Sequence, residues 1–187
     1  MSTEIIKKYT CDNEANSSCV KKLSSLSLRR LILPTNIKLT RSNLVRSYTL
    51  ELPREDSDSY SQLNTQLLIN ELRAVRADFS KLSGSDLIFD KISPDNVMIA
   101  DNKIFLYDYT KLMLASDIDY ARTYNNVKLN ELFGHALLVR EYPDMLRFNT
   151  IDKFYSNFLL TNHENFEDFV EAEVKEESLA KHLAKRY

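Results

Sequence analysis

From Tyr60 to Leu82 the apolar residues Leu63, Leu67, Leu68, Leu72, Val75 and Phe79 recur at steps of three and four. That spacing gathers them on one face of a helix. Ser83-Gly84-Ser85 closes the pattern, and a cap is expected near Ser59. Upstream, EIIKKYT over 4–10 is short and β-prone. DNEANSSCVKKLSSLSLRRL then carries cap-type residues followed by Val20, Leu23 and Leu26, which predicts a helix over roughly 13–27. NIKLT (36–40) and LVRSYTLELP (44–53) read as two strands joined by a turn at Arg41-Ser42-Asn43.

PREDSDSYS (53–61) is polar and has no apolar period, so it marks the boundary between two parts of the chain. NVMIA (96–100) and KIFLYDY (103–109) alternate as strands around Asp101-Asn102, a pair suited to a tight antiparallel turn. Three apolar clusters follow, at 127–142, 151–160 and 164–187, and predict three helices, with Pro143 between the first two. The order of elements is that of an α+β protein. Its strands come early and its helices late.

Composition narrows the chemistry. The 187 residues carry 25 Lys and Arg against 27 Asp and Glu, a formal charge of −2. No field of one sign is available to draw in nucleic acid or an anionic membrane. Cys11 and Cys19 have no second pair and no histidine beside them, so neither a zinc site nor a disulfide framework is supported. The N-terminal MSTEIIKKYTCDNE lacks the apolar core of a signal peptide, and no apolar run reaches the length of a membrane span. A soluble, cytoplasmic protein is expected. Gly84 and Gly134 are the two glycines of the sequence, against a usual share of about 7%. A glycine-rich phosphate cradle cannot be built from them, so any nucleotide would be held by side chains and a metal.

Within FDKISPDNVMIADNKIFLYDYTKL (89–112), an S-P-D-N loop runs into a hairpin whose second strand ends on an aspartate. This order resembles the protein-kinase-like superfamily, whose catalytic loop reads H-x-D-x-x-x-x-N and whose metal-binding segment reads D-F-G. Asn96 matches the loop asparagine and Asp108 the metal-binding aspartate. One amide and one carboxylate are hard oxygen ligands of the kind magnesium takes while bridging nucleotide phosphates. The resemblance implies further that YTLELP is the strand and hinge holding an adenine ring, with Glu51 at the hinge. It implies that 60–82 is the long helix before the catalytic loop, and that EIIKKYT bears the phosphate-pairing lysine, with Lys7 in its position. The 13–27 helix would be the regulatory helix of the small lobe.

Several positions depart from the pattern. Five residues before Asn96 stands Lys91, where the family has its catalytic aspartate, and Phe89 stands where it has histidine. An ammonium group cannot take a proton from a hydroxyl at neutral pH, and it repels magnesium. Asp90 is the alternative base, one residue out of register. No glutamate stands where the partner of Lys7 is expected; Asn16 is near that place and Glu14 half a turn earlier. Asp108 is followed by Tyr109-Thr110 without glycine, and no A-P-E-like segment precedes the next helix. The chain begins at the lysine strand, so the family's glycine-rich lid is expected to be missing.

The resemblance therefore implies a kinase-like fold with a reduced N-terminal lobe (1–52) and a mainly helical C-terminal lobe (54–187). The function it implies is a degenerate, pseudokinase-type binding or regulatory module with a protein partner. One alternative is a minimal phosphotransferase using ATP and magnesium, with Asp90 as base, Asn96 and Asp108 on the metal and Lys7 on the phosphates. The other is an unrelated α+β interaction protein, in which residues 96 and 108 do not converge. His135, His163 and His182 stand singly and carry no role, and the aromatic residues read as core.

Overall fold

The computed structural model describes residues 5–10, 17–42, 45–53, 63–89, 92, 96–107, 112–141 and 158–184. Helix α2, Thr65–Ser83, is the element on which the others converge: it packs against two further helices and against strands of two sheets. Its apolar face is the predicted one, with Leu68, Leu72, Val75 and Phe79 all buried. Its start is later than expected. Asn64, not a residue near Ser59, is the cap, and its side chain accepts the Leu67 N–H at 2.8 Å, which satisfies an amide that the first turn leaves open. The helix ends at Gly84 as predicted. The left-handed residue of the turn is Asp86, with φ of 58°.

Ahead of α2 lies a three-stranded antiparallel sheet in the order β1-β3-β2. Strand β1 (Ile5–Thr10) pairs with β3 (Val45–Leu52) without interruption, from Ile5↔Leu52 to Thr10↔Ser47. Strand β2 (Thr35–Leu39) pairs with the other edge of β3 and forms the predicted hairpin, with register shifts after Thr35 and Lys38. Helix α1 spans Ser17–Ser24. Residues 13–16 of the predicted helix lie outside the described residues, and its other end is corrected: the chain turns at Ser25, well before residue 27. Ser25 explains the stop, because its hydroxyl donates to the Lys22 carbonyl at 2.7 Å and competes with the helical ladder.

After α2 come two small ladders. Strand β4 (Leu87–Phe89) pairs with β7 (Leu112–Leu114), and β5 (Val97–Ala100) pairs with β6 (Lys103–Leu106). The predicted turn between β5 and β6 is present, with Asp101 and Asn102 at φ of 50° and 59°, the left-handed pair that a two-residue hairpin requires. Helix α3 runs over Ile118–Glu141 and so begins nine residues before the predicted Val127. Asp117 fixes that start by accepting the Tyr120 N–H at 2.8 Å. Helix α4, Phe166–Ala184, is the predicted final helix. The predicted 151–160 helix lies largely outside the described residues; its Phe158 is buried with a ring 5.3 Å from that of Phe166. Among the described residues no helix is long and apolar enough to cross a membrane.

One apolar core runs through these elements, from Leu23 of α1 and Leu50 of β3 to Phe79, Phe133 and Phe166 of the helices. Each such side chain contributes about 1.5–3 kcal/mol on burial. The three long helices are also joined by charge. Arg76 of α2 donates to both carboxylate oxygens of Glu167 at 2.5 and 2.7 Å, to Asn130 Oδ1 at 2.7 Å and to Asn126 Oδ1. Its guanidinium lies 5.1 Å from the centre of the Phe133 ring. Glu167 is fully buried, so the pair holds only because each charge is fully partnered. Glu167→Ala strands the guanidinium and is expected to cost about 3–5 kcal/mol, read as a lower urea midpoint.

Nearer the surface, Arg73 donates to Asp168 at 2.6 Å and to Glu171 at 2.7 Å. The Arg73 hydrogen bond holds the Glu171 carboxyl below its ordinary range. For Asp168, burial acts upward but is outweighed by hydrogen bonds from Arg73 and Asn165 and by the Arg73 and Arg76 charges, so this carboxyl is lowered too. A lowered carboxyl stabilises the fold fully above its unfolded value, about 4, and that stabilisation is lost as pH falls through the folded value. Arg73→Met is therefore expected to lower the melting temperature at neutral pH. The gap from the parent should close as pH falls below about 4.

Candidate functional site

The loop candidates are framed by the two ladders. Phe89 pairs with Leu112, and Val97 pairs with Leu106. The chain therefore leaves the first ladder at Phe89 and enters the second at Val97, and it leaves the second at Leu106 and re-enters the first at Leu112. The Tyr107 N–H donates to the Asn96 carbonyl at 3.0 Å, which joins the two stretches where the second ladder ends. Asn96 is thus fixed next to Tyr107, the residue preceding Asp108 in the chain. Asp90, Lys91 and Asp108 lie outside the described residues.

Phe89 is buried at the end of β4, with its ring 5.6 Å from that of Phe79. Its backbone is held from α3. Asn125 is 1% exposed; its amide nitrogen donates to Leu87 O at 2.9 Å and to Ser83 Oγ at 3.0 Å. Its oxygen accepts the Phe89 N–H at 3.3 Å. One neutral side chain thereby ties the end of α2 and the end of β4 to α3, and sets the point from which the loop bearing Lys91 and Asn96 departs. Asn125 lies in a stretch, Tyr124-Asn125-Asn126, whose polarity conceals the helix. The signal for its role is an amide with two donors and one acceptor, suited to a strand end.

The other candidates sit on the three-stranded sheet. Lys7 stands opposite Leu50, and Glu51 opposite Ile6, on adjacent rungs of the β1–β3 ladder. Glu51 is exposed and lies within β3, one residue before its end. Glu14 and Asn16, the positions considered as partners for Lys7, lie outside the described residues. Among the described residues no group of three or more His, Cys, Asp and Glu is placed to hold a metal ion. His163 is exposed, with its ring 6.0 Å from that of Phe169. Cys19 is a free buried thiol, pushed above its ordinary range by burial.

Two buried acids absent from the sequence expectations stand on the inner face of α2. Asp78 Oδ2 accepts the backbone N–H groups of Arg29, Arg30 and Leu31 at 2.7, 2.6 and 3.3 Å. Glu71 takes Arg30 in a two-point contact of 2.6 and 2.9 Å, and also accepts the Ile104 N–H of β6 at 3.1 Å. Their seven-residue spacing inside the apolar stripe from Leu68 to Leu82 was the available signal, because a carboxylate on a buried face must find donors.

No family model and no curated protein matches the chain. Solved structures do. The structure of the Drosophila melanogaster PAN3 pseudokinase aligns over 96% of this chain and 63% of that one, with a TM-score of 0.51 and 9% sequence identity. The chain thus spans somewhat less than two thirds of the length of the structure it resembles, and at this identity the likeness is one of fold alone.

Asn125→Leu would leave the Leu87 carbonyl and the Phe89 N–H buried without this partner. Each such group costs about 1–3 kcal/mol. The expected outcome is a lower denaturation midpoint together with faster hydrogen exchange at Phe89 than at the core of α2.

Proposed function

We propose that this chain has a kinase-like fold with a reduced small lobe, and that it works as a pseudokinase-type binding or regulatory module, not as a phosphotransferase. The small lobe would comprise residues 1–52, with the three-stranded sheet and α1; the large lobe would run from residue 54 onward. The observation that supports this most is the length of the connection after β7. Three residues, Ala115–Asp117, separate Leu114 of β7 from Ile118 of α3. In a protein kinase the stretch between the metal-binding segment and the next large helix carries the activation loop and its regulatory phosphosite. Here Asp108 is followed by nine residues, 109–117, before α3 starts, and three of them are strand β7. Little chain remains to dock a peptide.

The residue types at the loop positions agree. Phe89 puts an apolar ring in the core where the family has a histidine, and Lys91 puts a cation where it has a base. The likeness of fold is to a protein itself described as a pseudokinase. ATP and magnesium are the cofactors that the resemblance implies. Asn96 and Asp108 would supply one amide and one carboxylate, a set magnesium accepts when water and phosphate complete the octahedron, but the Lys91 ammonium in the same loop opposes it. The proposed role routes no step through the metal.

A minimal phosphotransferase is the second reading, favoured by the Asn96–Tyr107 bond, which holds one candidate ligand next to the residue that precedes the other. In that reading Asp90 is the base, Lys7 and Glu51 hold the nucleotide, and Mg-ATP raises the melting temperature by mass action.

Incubation with labelled ATP and magnesium is expected to give no phosphoryl transfer to the chain or to general acceptor proteins. A stable complex with a protein partner is expected from the cells in which the chain is made. ATP-dependent labelling that disappears in Asp108→Ala would overturn the proposal in favour of the second reading.

A further inference from the structure

The stretch from Ser27 to Leu33 joins α1 to the three-stranded sheet and passes between α2 and β6. Its backbone is gripped from both sides. On the α2 side, Asp78 Oδ2 gathers the N–H groups of Arg29, Arg30 and Leu31 at 2.7, 2.6 and 3.3 Å, and Lys81 donates to the Ser27 carbonyl at 2.5 Å. On the β6 side, the Leu106 N–H donates to the Arg30 carbonyl at 2.8 Å, and the Ile32 N–H donates to the Leu106 carbonyl at 2.9 Å. Glu71 links the two sides, because it holds the Arg30 guanidinium and the Ile104 N–H of β6 together.

From this geometry we infer that residues 27–33 form a strap, latched by Asp78 and Glu71, which fixes the three-stranded sheet to the helices. Their relative placement is then a property of the fold and not of a bound ligand. A hinge needs a few residues free to change φ and ψ. Here the backbone of Arg29 to Ile32 is held by partners on two other elements, and Leu31 is 3% exposed. The charges are matched as well: Lys81 lies 3.5 Å from Asp78 Oδ1, and Arg30 faces Glu71 at 2.6 Å with side chains 15% and 10% exposed. Swinging the strap away would break these bonds together, leaving Asp78 with Lys81 alone and Glu71 with the Ile104 N–H alone among apolar side chains, which is costly. The strap therefore opens only when α2 itself unfolds. The inference stands on the geometry of 27–33 and does not need the kinase-like reading.

Native-state hydrogen exchange on the full chain, across rising denaturant below the unfolding transition, tests this. The amides of Arg29, Arg30, Leu31 and Ile32 are expected to exchange through the same opening as the core of α2, with the same denaturant dependence. Exchange through a separate, smaller opening would overturn the inference. In Asp78→Asn and, separately, Glu71→Gln, strap exchange is expected to speed up by about ten- to a hundredfold relative to the α2 core. The α2 amides serve as the internal reference, so a general loss of stability cancels. Strap amides that still keep pace with α2 in both variants would show that the carboxylates are not the latch. If Asp78→Asn does not fold, Glu71→Gln and the parent chain still decide the question.

Discussion

Asp78 is a carboxylate in the middle of an apolar helix face, and it is tolerated there because three consecutive backbone amides converge on one of its oxygens. An unpartnered charge at such a position would cost several kcal/mol. Once the amides are supplied, the cost becomes a constraint, since the chain from Ser27 to Leu33 must lie where α2 can reach it. That placement brings Arg30 to Glu71 and Leu31 into the core, and lays the strap along β6 through the Leu31↔Leu106 bridge. The hairpin that follows, β2–β3, inherits its position from the strap. On the opposite side α2 binds α3 and α4 by a second buried charge, Arg76 with Glu167. One helix thus positions both the sheet and the helical layer.

The candidate site is an outcome of that arrangement. Ladders β4–β7 and β5–β6 hold the ends of two loops side by side, Asn125 anchors the first loop from α3, and the Asn96–Tyr107 bond joins the loops where they meet. This frame needs no catalytic residue to stand. It is built from apolar packing at Phe89 and Phe79 and from neutral amide bonds. The same independence allows the connection between β7 and α3 to be as short as Ala115–Asp117. The proposed binding role rests on that short connection and on the residue types at 89 and 91.

The parts legible in the sequence were those in which one local rule dominates. The apolar stripe of α2, the Asp101-Asn102 turn and the β2–β3 hairpin each announce themselves within a dozen residues. The parts that were not legible depend on distant partners. Strands β4 and β7 have three residues each and are strands only because they meet each other. Helix α3 begins at Ile118, yet its first turns carry Thr123, Asn125 and Asn126 in place of a clean apolar period, because Asn125 faces a strand end and Asn126 an arginine of α2. The cap at Asn64 and the stop at Ser25 are side-chain bonds with nearer competitors in the sequence. Within the site, the β5–β6 hairpin that follows Asn96 was legible from its alternation and its turn. Asn125, Asp78 and Glu71 were missed because a buried polar residue shows its purpose only when its partners are seen.

The central proposal is that Lys91 stands in place of the catalytic base of a kinase-like frame and makes the site inert. A crystal structure of the chain grown at millimolar Mg-ATP tests it most directly. The account predicts the Lys91 ammonium between Asn96 and Asp108, with no metal held by that pair. Magnesium bound by Asn96 and Asp108, with the Asp90 carboxylate turned toward the terminal phosphate of the nucleotide, would contradict it.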